Sequence, residues 1–488
     1  MNSVSMNMEQ LLALLPLITL ALTAIVVMLF IAWRRHHWWT GTLTVLGLNA
    51  TLLAVLFVTF ELPPVPLTPL LVVDGFSCFY MGLLLITALA CSTLMNAYMD
   101  GFQDNREEIY LLLIIATLGA LVLVCSRHLA GLFIGLELLS VPVYGMVAYT
   151  FRNKRALEAG IKYMVLSAAA SAILLFGMAL IYAVSGSLSF AGISVAYANG
   201  LNDPLLMTGT ALLLVGLAFK LSIAPFHLWT PDVYEGAPAP VAAFLATASK
   251  TAVLAALMRF FYESGALQSD VLRTIIAVLA AISIIVGNLL AVQQTSIKRL
   301  LAYSSIAHFG YLLVPLAGGV AVEAVTVYLV TYVVTSLGAF GVVTLMSSPY
   351  KGQDADQLFN YRGLFWRRPY LTAVMTVMML SLAGIPVTAG FIGKFYIVAA
   401  GVSAQLWLLL GLVVVGSAVG LYYYLRVMVT MFLPEPGMHR YDAPKDWGSR
   451  AGGVMVLGMA VLVLLLGMYP QPVLELIDKA TMAALSLG

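Results

Sequence analysis

The chain has 488 residues, of which 62% are hydrophobic and only 9% charged, far below the roughly 25% charged residues of a soluble domain. Mean hydropathy is +0.99 and the formal net charge is +2. This composition excludes a soluble enzyme and defines an all-α polytopic membrane protein, whose expected surroundings are the lipid bilayer, protons and water, with no nucleic acid. The three cysteines, Cys78, Cys91 and Cys125, are scattered, and no spacing suits an iron–sulfur cluster, a zinc site or a haem attachment. No glycine-rich nucleotide motif follows a strand-like run. The six histidines form no i, i+4 ligand pair. No cofactor and no metal are therefore expected in this chain.

A bilayer crossing needs about 20 mostly apolar residues. Runs of that length, separated by polar or Pro/Gly breaks, predict fourteen spans: 10–32, 41–60, 76–98, 109–126, 129–150, 161–184, 205–227, 239–262, 272–292, 300–318, 323–347, 370–399, 405–430 and 451–469. The first run lacks a basic leader and a small-residue cleavage site, so it reads as a retained helix. His36–His37 beside Arg34–Arg35 reads as an interfacial basic cluster. The tail, 470–488, adds an amphipathic turn or prolongs the last helix.

Positive charge tests this map, because cytoplasmic loops hold the excess of Lys and Arg. With the N-terminus outside, loops after odd-numbered spans face inward. Of 24 Lys and Arg, 16 then fall on the inner side, Lys351, Arg440 and Lys445 among them. Four fall outside: Arg127, Arg259, Arg273 and Lys479. The bias predicts both termini on the outer side. The four remaining are Lys162, Lys220, Lys250 and Lys394, all inside spans. Among the acids, Glu137 in "GLFIGLELLSVPVYG" is the one clear intramembrane case.

The chain also resembles itself. "EAGIKYMVLSAAASAILLFG" begins at Glu158 and "EAVTVYLVTYVVTSLGAFG" at Glu323, with Tyr163 and Ser171 matching Tyr328 and Ser336. "LSIAP" at Leu221 matches "LSLAGIP" at Leu380. Two matches in order, at nearly equal offsets, predict a duplicated five-helix unit, spans 4–8 and 9–13. Five is odd, so the copies are inverted, as in many transporters. The predicted division is 1–108 (spans 1–3), 109–265 (first repeat), 266–432 (second repeat) and 433–488 (a loop and span 14).

Spans 7 and 12 each carry a mid-membrane break, at Pro225 and at Gly384–Pro386. Proline removes a backbone donor and clashes with the preceding turn. In lipid such breaks survive only where they face protein or a water-filled cavity, and paired breaks point to a transport site. A charge at the membrane centre costs roughly 2.5–3.5 kcal/mol. Snorkelling explains Lys162, one or two residues inside its span, better than it explains Lys220 or Lys250. Burial disfavours a charged amine and a nearby carboxylate favours it. Glu137 moving relative to Lys220 would therefore load and unload a proton, with the Pro225 break as the joint. His227, Lys250 and ordered water would pass the proton onward, and Lys394 would serve the exit. Hydroxyls such as Ser222 and Ser249, and His308 in span 10, admit either a relay or a packing role.

"FKLSIAPFHLWTPDVYEGAPAPVAAFLATASK" (219–250), "SIKRLLAYSSIAHFGYLL" (296–313) and "LSLAGIPVTAGFIGKFYI" (380–397) resemble the antiporter-like membrane subunits of respiratory complex I. Multisubunit cation/proton antiporters and membrane hydrogenases hold related subunits. The resemblance covers the whole chain. It implies fourteen spans with two inverted five-helix repeats, and one proton path per subunit. Carried over, Glu137 and Lys220 are the pair-forming residues, Lys250 the connecting lysine and Lys394 the terminal lysine. Lys162 matches a further lysine drawn near the first pair. A sister subunit has glutamate where Lys394 stands, and the largest sister extends beyond fourteen spans. The resemblance places NADH, FMN, iron–sulfur clusters and quinone in other subunits, makes sister antiporter-like subunits the partners, and implies a bacterial inner membrane with periplasmic termini. A cation/proton antiporter component without redox drive is the rival reading, followed by a structural spacer.

Overall fold

Thirteen helices among the described residues are long and apolar enough to cross a membrane. Two shorter ones, Pro369–Ala383 and Ala389–Ser403, lie end to end where span 12 is predicted. The computed structural model describes residues 7–102, 104–198, 203–319, 321–347, 354–434 and 447–485. Lys351, Arg440 and Lys445 lie outside the described residues. Spans 1 to 6 are Leu15–Trp33, His37–Glu61, Gly75–Met99, Glu108–Cys125, Leu129–Val147 and Lys154–Ser185. Span 7 is Pro204–Leu221 followed, after a break, by Trp229–Gly236. Spans 8 to 11 are Ala239–Ser264, Asp270–Val292, Ile297–Ala317 and Val322–Met346. Spans 13 and 14 are Trp407–Phe432 and Trp447–Met468, and a separate helix, Gln471–Leu485, follows.

Every predicted span is present, and the differences have physical causes. Span 6 begins at Lys154, seven residues before the apolar run, where the Asn153 side chain accepts from the Arg155 amide. Hydropathy finds only the apolar run, whereas the helix begins with the charged residues Lys154, Arg155 and Glu158 ahead of it. Span 7 does not end at its proline but resumes at Trp229. Unpredicted elements are a small hairpin, Val65–Pro66 with Val72–Val73, and the helix Phe190–Ala198. Span 8 contains a π-helical turn, Leu245–Ser249, directly before Lys250. Such turns gather at functional sites.

Spans 8, 10 and 11 are buried along their length, whereas spans 1, 2, 9, 13 and 14 turn apolar faces outward. Spans 6 and 7 touch backbone to backbone. A Cβ on Gly177 would lie 2.6 Å from Gly209 O, and one on Gly209 would lie 2.9 Å from Gly177 O. Small residues permit such an approach in membranes, and here it brings the end of Pro204–Leu221 against the serines of span 6. At the far end of span 8, Arg259 donates to both oxygens of Asp74, at 2.7 and 2.8 Å. Burial opposes the charge on Asp74, but this guanidinium holds its carboxyl below the usual carboxylate range.

The two broken spans end their first halves alike. Ser222 (φ 61°) and Gly384 (φ 83°) are left-handed. The next amides, Ile223 and Ile385, reach back to the carbonyls of Ala218 and Leu380, at 2.9 and 3.0 Å. This is the Schellman stop. The structural equivalence is thus Ser222 with Gly384, not the repeated Leu-Ser letters, which lie three residues out of step. The freed groups find partners inside the protein. Trp229 Nε1 donates to Phe219 O (3.0 Å), and the Ala224 amide donates to Ser283 Oγ (3.0 Å).

Candidate functional site

Lys220 occupies the last turn of Pro204–Leu221 and is 6% exposed. Its Nζ donates to Ser140 Oγ (2.7 Å) on span 5 and to Ser167 Oγ (2.6 Å) on span 6. Glu137 does not touch Lys220. Its Oε1 accepts from Ser171 Oγ at 2.5 Å. The predicted direct pair is therefore two layers one helical turn apart: Lys220 with Ser140 and Ser167, Glu137 with Ser171. The spacings explain it. Glu137/Ser140 (i, i+3) and Ser167/Ser171 (i, i+4) each share a helix face. Tyr144 shares a further hydrogen bond with Ser167, 2.7 Å. That hydroxyl spacing was visible in the sequence, but only packing aims it at the lysine.

Lys250 is 1% exposed at the exit of the π turn. Its Nζ donates to Ser305 Oγ (2.8 Å), which also accepts from Tyr332 (2.7 Å). The ammonium lies over the rings of Phe309 (4.9 Å) and Tyr234 (5.5 Å). Cation–π contacts of this kind stabilise a desolvated cation by about 2 kcal/mol. One turn along span 10 from Ser305 stands His308, buried, its Nδ1 2.6 Å from Tyr328 Oη and its Nε2 3.0 Å from Tyr424 Oη. Tyr424 in turn bonds Ser304. The sequence left His308 undecided. The fold places it between Lys250 and Lys394.

Lys394 projects from Ala389–Ser403 back to the end of Pro369–Ala383, where its Nζ donates to Ala383 O at 2.8 Å. A helix C-terminus favours a cation by about 0.3–1 kcal/mol, up to ~2 when partly buried. Lys220, in the last turn of its own half-helix, has the same benefit. The second break thus presents a free carbonyl directly to Lys394, whereas Lys220 turns its ammonium to the serines of spans 5 and 6. Lys394 also lies over Tyr311 (5.5 Å). It lines a small internal cavity with His308, Tyr332, Thr335 and Ser381.

Two expected members stand apart. Lys162 makes no hydrogen bond to the serines or the glutamate around Lys220. It points to the end of the helix, pairing with Glu158 (2.6 Å) and Asp232 (3.0 Å) on a half-exposed surface. The helical start at Lys154 supplies the polar turn it reaches. His227 is buried in the break beyond Pro225, and its ring nitrogens close no hydrogen bond to Lys220 or Lys250. Pro225, Gly384 and Pro386 lie in the breaks as predicted. Among the described residues, no three of His, Cys, Asp and Glu gather closely enough to hold a metal ion.

Fourteen spans among the described residues, two of them broken beside a lysine, and three buried amines held by serines or by a backbone carbonyl define an antiporter-like membrane protein. The family described as NADH:quinone oxidoreductase/Mrp antiporter, TM matches residues 126–420. NADH-quinone oxidoreductase subunit N of Ectopseudomonas mendocina is 61% identical over 99% of this chain and 99% of its own length. Subunit N of Chromohalobacter salexigens is 64% identical over 96% of this chain and 98% of its own. The chain belongs to the NADH:quinone oxidoreductase/Mrp antiporter membrane family and, within it, to the subunit N members. A chain of respiratory complex I from Thermus thermophilus has a similar structure, with TM-score 0.80 and 36% identity over 94% of this chain and 98% of that one. An archaeal membrane-bound sulfane sulfur reductase (TM-score 0.85, 22% identity, 97% and 98% covered) shares the fold. So does an Mrp complex from a Dietzia species (TM-score 0.85, 21% identity, 97% of both covered).

Proposed function

We propose that this chain is a proton-translocating membrane-arm subunit of an NADH:quinone oxidoreductase, moving protons through Glu137, Lys220, Lys250, His308 and Lys394. Redox chemistry on NADH, FMN, iron–sulfur clusters and quinone takes place in other subunits, and sister antiporter-like subunits flank this one. The observation that carries the reading is the set of three buried amines, Lys220 bonded to Ser140 and Ser167, Lys250 bonded to Ser305, and Lys394 bonded to the Ala383 carbonyl. The two five-helix units, 109–265 and 266–432, each contribute one broken span to it. The charge bias of the loops supports an inner bacterial membrane with both termini outside.

Each station has a physical task. The serines bind the Lys220 ammonium, and the backbone carbonyls at the end of its half-helix favour the charge. An anionic Glu137 one turn away stabilises that ammonium; its neutralisation or withdrawal releases the proton. The break at 222–228 lets Lys220 move without unwinding both neighbours. Beyond it, Lys250 hands protons through Ser305 and Tyr332 to His308, and Lys394 receives them at the second break. His227 lies buried in the break of span 7 with both ring nitrogens free of protein partners, where its ring can bond to water.

The test is Lys220→Ala in the assembled complex, with NADH-driven quinone reduction and proton uptake measured in vesicles. Loss of pumping with slowed electron transfer is expected. Unchanged turnover and unchanged protons per electron would remove Lys220 from the path. Ion exchange that persists without NADH or quinone would favour an antiporter without redox drive.

A further inference from the structure

The half-helix Trp229–Gly236 connects the two lysines of the first half of the path. It begins just past the break that follows Lys220, and it carries Tyr234 under Lys250. It is eight residues long and joined to the rest of the chain by unwound backbone at one end and by Ala237–Pro238 at the other. Its position therefore depends on side contacts. At the break, Trp229 stacks on Tyr163 of span 6 (4.7 Å) and bonds Phe219 O.

At the opposite, arginine-rich end, the holds are ionic. Asp232 and Glu235 sit three residues apart on one face. Asp232 is gripped by Lys162 of span 6 (3.0 Å) and Arg299 of span 10 (2.7 Å). Glu235 is gripped by Arg299 (3.0 Å) and by Arg155 of span 6 (3.8 Å). Lys298, fully buried, donates to Ala237 O (2.7 Å), the carbonyl that ends the half-helix. Lys298 is itself pinned by Asp354 (2.6 Å), which also accepts from Tyr98. There is no slack on the span 6 side. A Cβ on Gly236 would lie 2.6 Å from Arg155 O.

We propose that these cations form a strap across Trp229–Gly236, and that Lys162 and Arg299 are positioning residues which set where Tyr234 lies under Lys250, rather than stations on the proton path. The strap has two cations in each half of the molecule. Lys162 and Arg155 belong to span 6. Lys298 and Arg299 belong to span 10, which also carries Ser305, the hydrogen-bond acceptor of Lys250. A shift of span 10 against span 6 therefore moves the half-helix and the Lys250 acceptor together. Lys162 has two carboxylates at its head and no bond to Ser140, Ser167 or Glu137, which suits an anchor. The inference rests on the proposed proton path, and the experiment separates the two.

Arginine distinguishes an anchor from a carrier, because a guanidinium keeps an ion pair but does not release its proton in this pH range. Lys162→Ala, Lys162→Arg, Arg299→Ala and Lys250→Arg are compared in the assembled complex for NADH turnover and for protons per NADH. Lys162→Ala and Arg299→Ala are expected to slow turnover by about three- to tenfold while keeping protons per NADH. Lys162→Arg is expected to restore turnover to within about twofold of the parent. Lys250→Arg is expected to stop pumping. An assembled Lys162→Arg complex that pumps no better than Lys162→Ala makes Lys162 a carrier and overturns the strap. Wild-type turnover in both alanine variants also overturns it. Normal pumping in Lys250→Arg would instead refute the proton path. If Arg299→Ala fails to assemble, Arg299→Lys, which keeps one charge but loses the fork, is expected to give an intermediate rate; a wild-type rate there removes Arg299 from the strap.

Discussion

Gly384→Ala tests whether Lys394 acts from the carbonyl end of the broken helix. Gly384 has φ 83°, a region that costs an L-residue roughly 1–2 kcal/mol. A Cβ there would also lie 2.6 Å from Lys394 Cδ and 3.1 Å from its Nζ, so the lysine stem must swing aside. Swinging it gives up the hydrogen bond to Ala383 O, and bonds of a charged donor contribute about 1.5–3 kcal/mol. It also takes the ammonium off the negative end of the half-helix, a further ~0.3–1 kcal/mol. The backbone cost lowers the stability of the complex, whereas the lysine terms act on the site. If the site terms enter the slow step, proton uptake falls by about tenfold or more, since each 1.36 kcal/mol is a factor of ten. The assay is NADH-driven acidification in vesicles, alongside a melting curve of the purified complex. Gly411→Ala is the control, because a Cβ there meets nothing within 4 Å; it is expected to pump normally. A Gly384→Ala complex that pumps at the wild-type rate, while Lys394→Ala does not, would refute the placement of Lys394 at the Ala383 carbonyl.

The serine layer gives a second expectation. Ser140→Ala and Ser167→Ala each leave the Lys220 amine one acceptor, and are expected to slow pumping a few-fold. The double variant leaves none, and its loss is expected to exceed the product of the singles; simple multiplicativity would show that the two hydroxyls do not share the amine. The Asp74–Arg259 pair gives a third. Asp74→Asn removes the bidentate partner of a buried guanidinium and leaves it only the longer pair with Glu263 (3.5 Å); because that charge stays partly compensated, the cost is expected to fall below the about 3–5 kcal/mol of a fully broken buried pair, and is visible as a lower melting temperature. The folded-state carboxyl of Asp74 is depressed. Its contribution is therefore present above the ordinary carboxylate range near pH 4, and fades as pH falls through the lowered value. An acid melting series is expected to be shallower in Asp74→Asn than in the parent; equal slopes would show that the pair does not contribute to acid sensitivity.

The number and order of the spans follow from the amino-acid sequence, because bilayer thickness sets a length of apolar chain that can be counted. It also isolated Glu137, Lys162, Lys220, Lys250 and Lys394 as charges inside apolar runs, of which Lys162, near its span's end, alone is well explained by snorkelling. The breaks at Pro225 and Gly384–Pro386 were legible because proline and glycine act locally. The tertiary structure alone decided which charges meet. These spans are apolar on nearly every face, so no amphipathic stripe reveals how each helix is rotated. Rotation is set by packing, such as the Gly177–Gly209 contact that turns Lys220 toward Ser140 and Ser167 rather than onto Glu137. The helical turn that starts span 6 at Lys154, invisible to hydropathy, supplies Glu158 to Lys162, and the second half-helix of span 7 supplies Asp232. His308 and the Ala383 carbonyl became parts of the site only through contacts between distant spans. Local sequence can place a charge in the membrane, but its partner lies on another helix, at an angle only the packed bundle fixes.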